Sequence, residues 1–193
     1  MATTFSIKLK TLGFELPGWC LPPSEQLVRR FETRFSLALP ADYREFLLQH
    51  GGFIGSAVCP FQEPTPCGNA TCLDKFYGFS SSDRHDNVED ATKLIDGAPD
   101  VIAIGDNLLG AMFWLKCTGK DAGHVYMHDH EGRFAWTDQM FYEWYPNLHP
   151  QIRQFLALRR EGKLPKKPKG YDHVYRVGRS FAEFFDSLQR SEE

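Results

Sequence analysis

The chain has 193 residues, enough for one ordinary domain with room for an insertion, and 42% of them are hydrophobic, with 16 phenylalanines to furnish a core. A net charge of −3 and a pI near 6.2 leave no basic footprint for nucleic acid. Lys8 and Lys10 interrupt the first ten residues, so no secretory leader is read there, and no apolar run approaches the roughly 20 residues of a membrane helix. Five cysteines, an odd number without a leader, point to reduced thiols in the cytoplasm.

In chain order, "LPPSEQLVRRFETRFSLALPADYREFLLQHGGF" predicts two short helices. Ser24 is a cap for the first, and Leu27, Val28, Phe31 and Phe35 recur on one of its faces. Pro40 suits the opening turn of the second, Asp42 suits its positive end, and Tyr43, Phe46 and Leu47 make its apolar stripe. Gly51 and Gly52 end it. Residues 55–82 are rich in Pro, Cys, Gly, Ser and Thr without a sustained period. They predict a long irregular loop with short strand pieces at Ala57–Phe61 and Lys75–Phe79. "DNVEDATKLI" predicts a third helix capped by Asp86 or Asn87.

After Pro99, Val101–Ile104 and Ala111–Cys117 predict two strands joined through "GDN", and "HVYMH" and "RFAWT" predict a further pair across "DHEG". The spacing is that of an antiparallel meander. In "QMFYEWYPNLHPQIRQFLALRREGKL" the helical period runs from Gln151 to Leu158, with Pro146 and Pro150 preventing one uninterrupted helix. "PKKPKG" reads as a solvated linker and "HVYRV" as an extra strand. "SFAEFFDSLQ" reads as a closing amphipathic helix with Ser180 and Glu183 as a capping box. No internal repeat is present.

Four of these stretches together resemble the SUKH superfamily, which includes the fungal cell-wall assembly regulators and many bacterial immunity proteins. "LPADYREFLLQHGGF" (39–53) resembles its helical opening, "VIAIGDNLLGAMFWLKC" (101–117) its I-G-D hairpin, "GHVYMHDHEG" its strand and acidic turn, and "SFAEFFDSL" its closing helix. The resemblance covers residues 24–53, 75–137 and 179–190. Leu108 and Leu109 stand where the family usually has glycines, and the stretch 138–178 reads as an insertion within a single domain spanning 1–193. The resemblance implies an α+β fold, with a central antiparallel meander, short N-terminal helices and a C-terminal helix packed on it, and a partly helical insertion before that last helix. It also implies a binding protein without catalytic chemistry. Bacterial members typically neutralise toxins encoded beside them, often nucleases, and fungal members serve as interaction modules in signalling.

Several chemistries compete for the polar residues. His124, His128 and His130 fall within eight positions of each other. On a strand, however, His124 and His128 lie about 13 Å apart and His128 and His130 about 7 Å, so they make a poor zinc set. The favoured reading turns Val125 and Met127 to the core and Tyr126 and His128 to the other face, with Asp129 and Gly132 supplying turn chemistry. Cys59, Cys67 and Cys72, with His85, lack the C-x-x-C spacing of a zinc knuckle and read as small apolar residues. "GDNLLG" lacks the phosphate-loop pattern and joins strand to strand. "NAT" at 69–71 matches a glycosylation acceptor by chance. The run 159–170 holds six Lys and Arg but no interleaved aromatics for stacking on bases.

The reading is therefore a non-enzymatic protein-binding domain without cofactor or metal: an immunity protein that masks a toxin, with an endogenous regulatory or scaffold role as the alternative. Neither nucleic acid nor membrane is expected as a partner. Asp106 and Asn107 in the first hairpin turn, Asp129 and Glu131 in the second, and Tyr142, Trp144 and Tyr145 in "MFYEWYP" are the candidate partner contacts.

Overall fold

The computed structural model describes residues 4–18, 20–79 and 87–191. Asp86 and His85 lie outside the described residues. The helices of the N-terminal half are α1 (Thr4–Leu12), α2 (Glu25–Phe35), α3 (Ala41–His50) and α4 (Val88–Lys93). The strands are β1 (Phe53–Pro60), β2 (Ala70–Phe76), β3 (Val101–Asp106), β4 (Met112–Lys116) and β5 (Val125–His128). Then follow α5 (Asp138–Trp144), α6 (Pro150–Arg160), β6 (Val174–Gly178), α7 (Phe181–Ser187) and β7 (Gln189–Arg190). The fold is α+β, as the sequence implies, and the strands form one antiparallel sheet in the order β6-β5-β4-β3-β2-β1-β7.

The predicted caps are in place. Ser24 Oγ accepts from Leu27 N at 3.2 Å, Asn87 Oδ1 from Glu89 N at 2.8 Å, and Ser180 Oγ from Glu183 N at 3.0 Å. Glu183 completes its side of the box one residue early, accepting from Arg179 N at 3.1 Å. Asp42 does more than favour the α3 terminus, since its Oδ2 accepts from Ala182 N at 2.9 Å and so ties the starts of α3 and α7 together. The core beneath these helices is aromatic: the ring of Phe46 lies 5.0–5.6 Å from those of Phe5, Phe76 and Phe181. Phe113, Leu115, Val125 and Met127 face it from the sheet. Trp114 points to the opposite face, into a second cluster with Ala98, Val101, Tyr171 and Val174.

Three differences from the sequence reading matter for the site. The described part of the stretch 55–82 is mostly strand rather than loop: β1 and β2, which overlap the expected pieces at Ala57–Phe61 and Lys75–Phe79, pair from Phe53↔Phe76 to Pro60↔Ala70, with an irregularity between Ile54 and Ala57 that breaks the alternation. The helix α1 was not read from the sequence, although Phe5, Leu9 and Leu12 recur on its inward side. "RFAWT" is not a strand: Arg133–Ala135 is one 3-10 turn, and β6 lies beside β5 in its place, with His128 opposite Val174. The cause is local. Asp129 Oδ2 accepts the backbone N–H of Arg133 at 2.8 Å and curls the chain away from the sheet.

The connection between β1 and β2 reaches the far edge of the sheet. Gln62 N donates to Arg176 O at 3.0 Å, and Glu63 Oε1 accepts from Arg176 N at 2.8 Å, curling the sheet into a half-barrel. Within the stretch 138–178, β6 belongs to the sheet. The helices α5 and α6 share a smaller core of Phe141, Leu148, Ile152, Phe155 and Leu156. Asp138 pairs with Arg159 and Arg160, so part of the basic run is engaged within the chain. Lys167 is not solvated either: its Nζ sits 3.8 Å from the ring centre of Tyr175, and burial lowers its pKa.

A candidate binding face built from two matched turns

Two turns of the same design stand at one end of the sheet. In the β3–β4 hairpin, Asn107 O accepts from Gly110 N at 3.1 Å, and Asn107 Oδ1 accepts from Leu109 N at 3.1 Å and Ala111 N at 2.8 Å. After β5, Asp129 O accepts from Gly132 N at 3.2 Å and Asp129 Oδ2 from Arg133 N. Each is an Asx-x-x-Gly turn whose first side chain bonds the backbone four residues on. The glycine in each takes a positive φ, +91° at Gly110 and +64° at Gly132, which other residues adopt only with strain.

The turns touch. A side chain at Gly110 would meet the His130 ring, whose Nε2 lies 3.2 Å from the position of a Cβ there. Further bonds anchor each turn: Leu108 N donates to Asp74 Oδ2 at 2.9 Å, and Asp129 N donates to His173 O at 2.8 Å. Arg133 reaches back to Asp129 Oδ1 at 2.6 Å and to Glu131 Oε2 at 2.7 Å. Burial is the largest single influence and works against the guanidinium charge, but the Asp129 carboxylate, joined by smaller contributions from Cys67 and Tyr145, more than offsets it and the pKa is raised. His128 stacks on Trp114, with ring centres 4.6 Å apart and planes 9° from parallel, and burial lowers its pKa.

Between the turns and α5–α6 opens a cleft of about 280 Å³. Asn107, Leu109, Asp129, His130, Glu131, Arg133 and Tyr145 line it together with Thr71, Cys67 and Cys72. Four of the expected contacts, Asn107, Asp129, Glu131 and Tyr145, are thus brought to one place. Asn107 and Asp129 are only 5% and 2% exposed and bond within their own turns. Asp106 accepts from the Tyr77 hydroxyl at 2.8 Å, outside the cleft lining. Tyr142 and Trp144 are 53% and 69% exposed on α5, also outside it. The side chains that face outward are those between the ends of each turn: Leu108 and Leu109, 84% and 76% exposed, and His130 and Glu131.

Sequence reasoning missed Arg133, although its place four residues after Asp129 in "DHEGR" is a usable signal. It also missed that Leu108 and Leu109 project. The thiols of the cleft are held protonated: burial raises Cys72 and pushes Cys67 up to about 12. Metal binding and nucleophilic attack both use the thiolate. Among the described residues, no three His, Cys, Asp or Glu converge as a metal set, and no helix is long and apolar enough to cross a membrane.

A curled antiparallel sheet under short helices, ending in rigid turns around a shallow cleft, is the frame of a protein-interaction domain of the SUKH superfamily. The model of the SMI1/KNR4 family (SUKH-1) matches residues 22–187, and the chain belongs to that family. A comparison with curated proteins finds no match.

Proposed function

We propose that this chain is a cytoplasmic immunity protein that neutralises a cognate toxin by covering it with the face formed by the two turns, and that it acts by binding, without catalysing a reaction. The observation that carries this reading is a rigid, acidic sheet end. The buried Asp129 is neutralised by Arg133, which leaves Asp74, Asp106 and Glu131 there beside Lys75, an excess of carboxylates over cations. A toxin that acts on nucleic acid needs a cationic surface to hold phosphates. An acidic face speeds encounter with such a surface, and a prebuilt one loses little freedom on docking. Tyr142 and Trp144, exposed on the neighbouring helix, add the aromatic area that anchors interfaces.

The test is co-expression with the toxin encoded by the adjacent gene. Growth restored by this chain, together with a complex that co-elutes on a sizing column, supports the reading. Cell death at equal expression rejects it for that toxin. A locus with no toxin gene shifts the weight to a regulatory role with an endogenous protein.

A further inference from the structure

We propose that the two turns form a paired reader: Leu108 and Leu109 pack on an apolar side chain of a protein partner, while Glu131 holds a lysine or arginine beside it. This rests on the reading of the turn face as a protein-binding surface, and it names the chemistry that the face selects.

Three observations carry it. The leucines are exposed yet not loose. The N–H of Leu108 is held by Asp74 and that of Leu109 by Asn107, so the tip is rigid before any partner arrives. Two adjacent apolar side chains held in water by a fixed turn add nothing to the core and gain only when covered. The matching turn offers the opposite chemistry at the corresponding positions, an imidazole at His130 and a carboxylate at Glu131. Close packing of His130 on Gly110 fixes the spacing between the two tips. Finally, Glu131 meets Arg133 through Oε2 while its side chain stays 40% exposed, and Asp74 and Asp129 add to the carboxylates around that one guanidinium, which favours a basic group beside the apolar one and disfavours an acidic one. The partner is therefore a protein segment that places a residue such as Leu, Ile, Met or Phe next to Lys or Arg.

The test uses the full chain as bait for a random-peptide phage library, followed by calorimetric titration of the recovered peptides after synthesis. Recovered sequences are expected to pair an apolar residue with a basic one. The double variant L108S/L109S should bind them on the order of tenfold to a hundredfold more weakly, the range set by uncovering one or two leucine side chains. E131Q should bind about two- to fivefold more weakly and with a shallower salt dependence. L94S, which removes an exposed leucine outside the cleft lining, should bind as the parent does.

The proposal is overturned by any of three results: recovered peptides without this pairing, binding unchanged in L108S/L109S, or no recovery above that of the double variant. Self-association of the parent chain in sedimentation, lost in L108S/L109S, would overturn it too, because the occupant would then be a second copy. The immunity reading fails separately. A parent that binds such peptides through the turns but does not protect cells sinks immunity alone. A double variant that protects as well as the parent sinks the paired reader alone.

Discussion

The turns that begin at Asn107 and at Asp129 share one backbone solution and differ in what they display. In each, the first side chain is buried and bonded to the backbone four residues on, and the fourth residue is a glycine with positive φ. Between those ends one turn carries Leu108 and Leu109, the other His130 and Glu131. On the proposed reading, stability and recognition are therefore divided by position within a single turn. Its ends hold the fold together, and its middle projects into solvent. The residues with the most obvious polar character, Asn107 and Asp129, belong to the first group.

That division predicts opposite outcomes for neighbouring substitutions. The largest effect belongs to Asp129→Ala. Its side chain is 1% exposed and its removal leaves the Arg133 guanidinium, itself 19% exposed, without its main partner. Breaking a buried pair costs about 3–5 kcal/mol, and the remaining contact with Glu131 reduces that to about 2–4 kcal/mol. A urea titration reads the loss directly, and a midpoint equal to the parent's would refute the structural role. Asn107→Ala comes next. It strips the acceptor from the N–H groups of Leu109 and Ala111, of which Ala111 is buried, for a loss of about 2 kcal/mol in the same assay. Asn107→Asp keeps the acceptor and should recover most of it.

How much of this the sequence discloses depends on whether a feature is local. Caps at Ser24, Asn87 and Ser180, and the turn chemistry of Asp129 and Gly132, involve residues a few positions apart and are legible. The strands β1 and β2 are legible only as the short pieces at Ala57–Phe61 and Lys75–Phe79, because "GSAVC" and "ATCLDKF" are built from small and polar residues whose pairing is set across the sheet, with an irregularity after Ile54. The 3-10 turn at Arg133–Ala135 overrides the strand-like "RFAW" because one carboxylate captures one N–H. At the site, each turn can be read alone, but the meeting of Gly110 with His130 cannot, since it depends on β4 and β5 lying side by side. The departure at Leu108 and Leu109 is visible in the sequence. Its consequence is not, until Asn107 is seen to be buried beneath them.

A smaller effect separates the second turn from the first by pH. His128, just before Asp129, has its pKa held below the ordinary 6.5, first by burial and then by His173 and His130, with Asp129 opposing. The unfolded chain therefore takes up the proton first as pH falls. Its contribution to stability is complete above about 6.5 and is lost as pH drops through the lower folded value. His50 and His124 are lowered by burial as well and act in the same direction. The melting temperature should accordingly fall between neutral pH and about pH 5. His128→Phe, which keeps a ring against Trp114, should flatten but not abolish that slope. An unchanged slope would show that His128 titrates alike in both states.

The smallest effect on stability belongs to the substitution that sharpens the comparison most. Leu108→Ser with Leu109→Ser lies between the buried Asn107 and Gly110, so the two variants test adjacent positions of one turn. The leucine side chains are 84% and 76% exposed and fill no part of the core. Neither substitution touches the N–H groups held by Asp74 and Asn107. Stability should remain within about 0.5 kcal/mol of the parent, the range of ordinary surface changes, and removing apolar area from water should if anything raise solubility. A loss comparable to that of Asn107→Ala would mean that the leucines support the turn, and the division between its ends and its middle would collapse. Unchanged stability beside weakened binding would place their contribution at the interface, where Asn107→Ala acts only by deforming the turn that presents them.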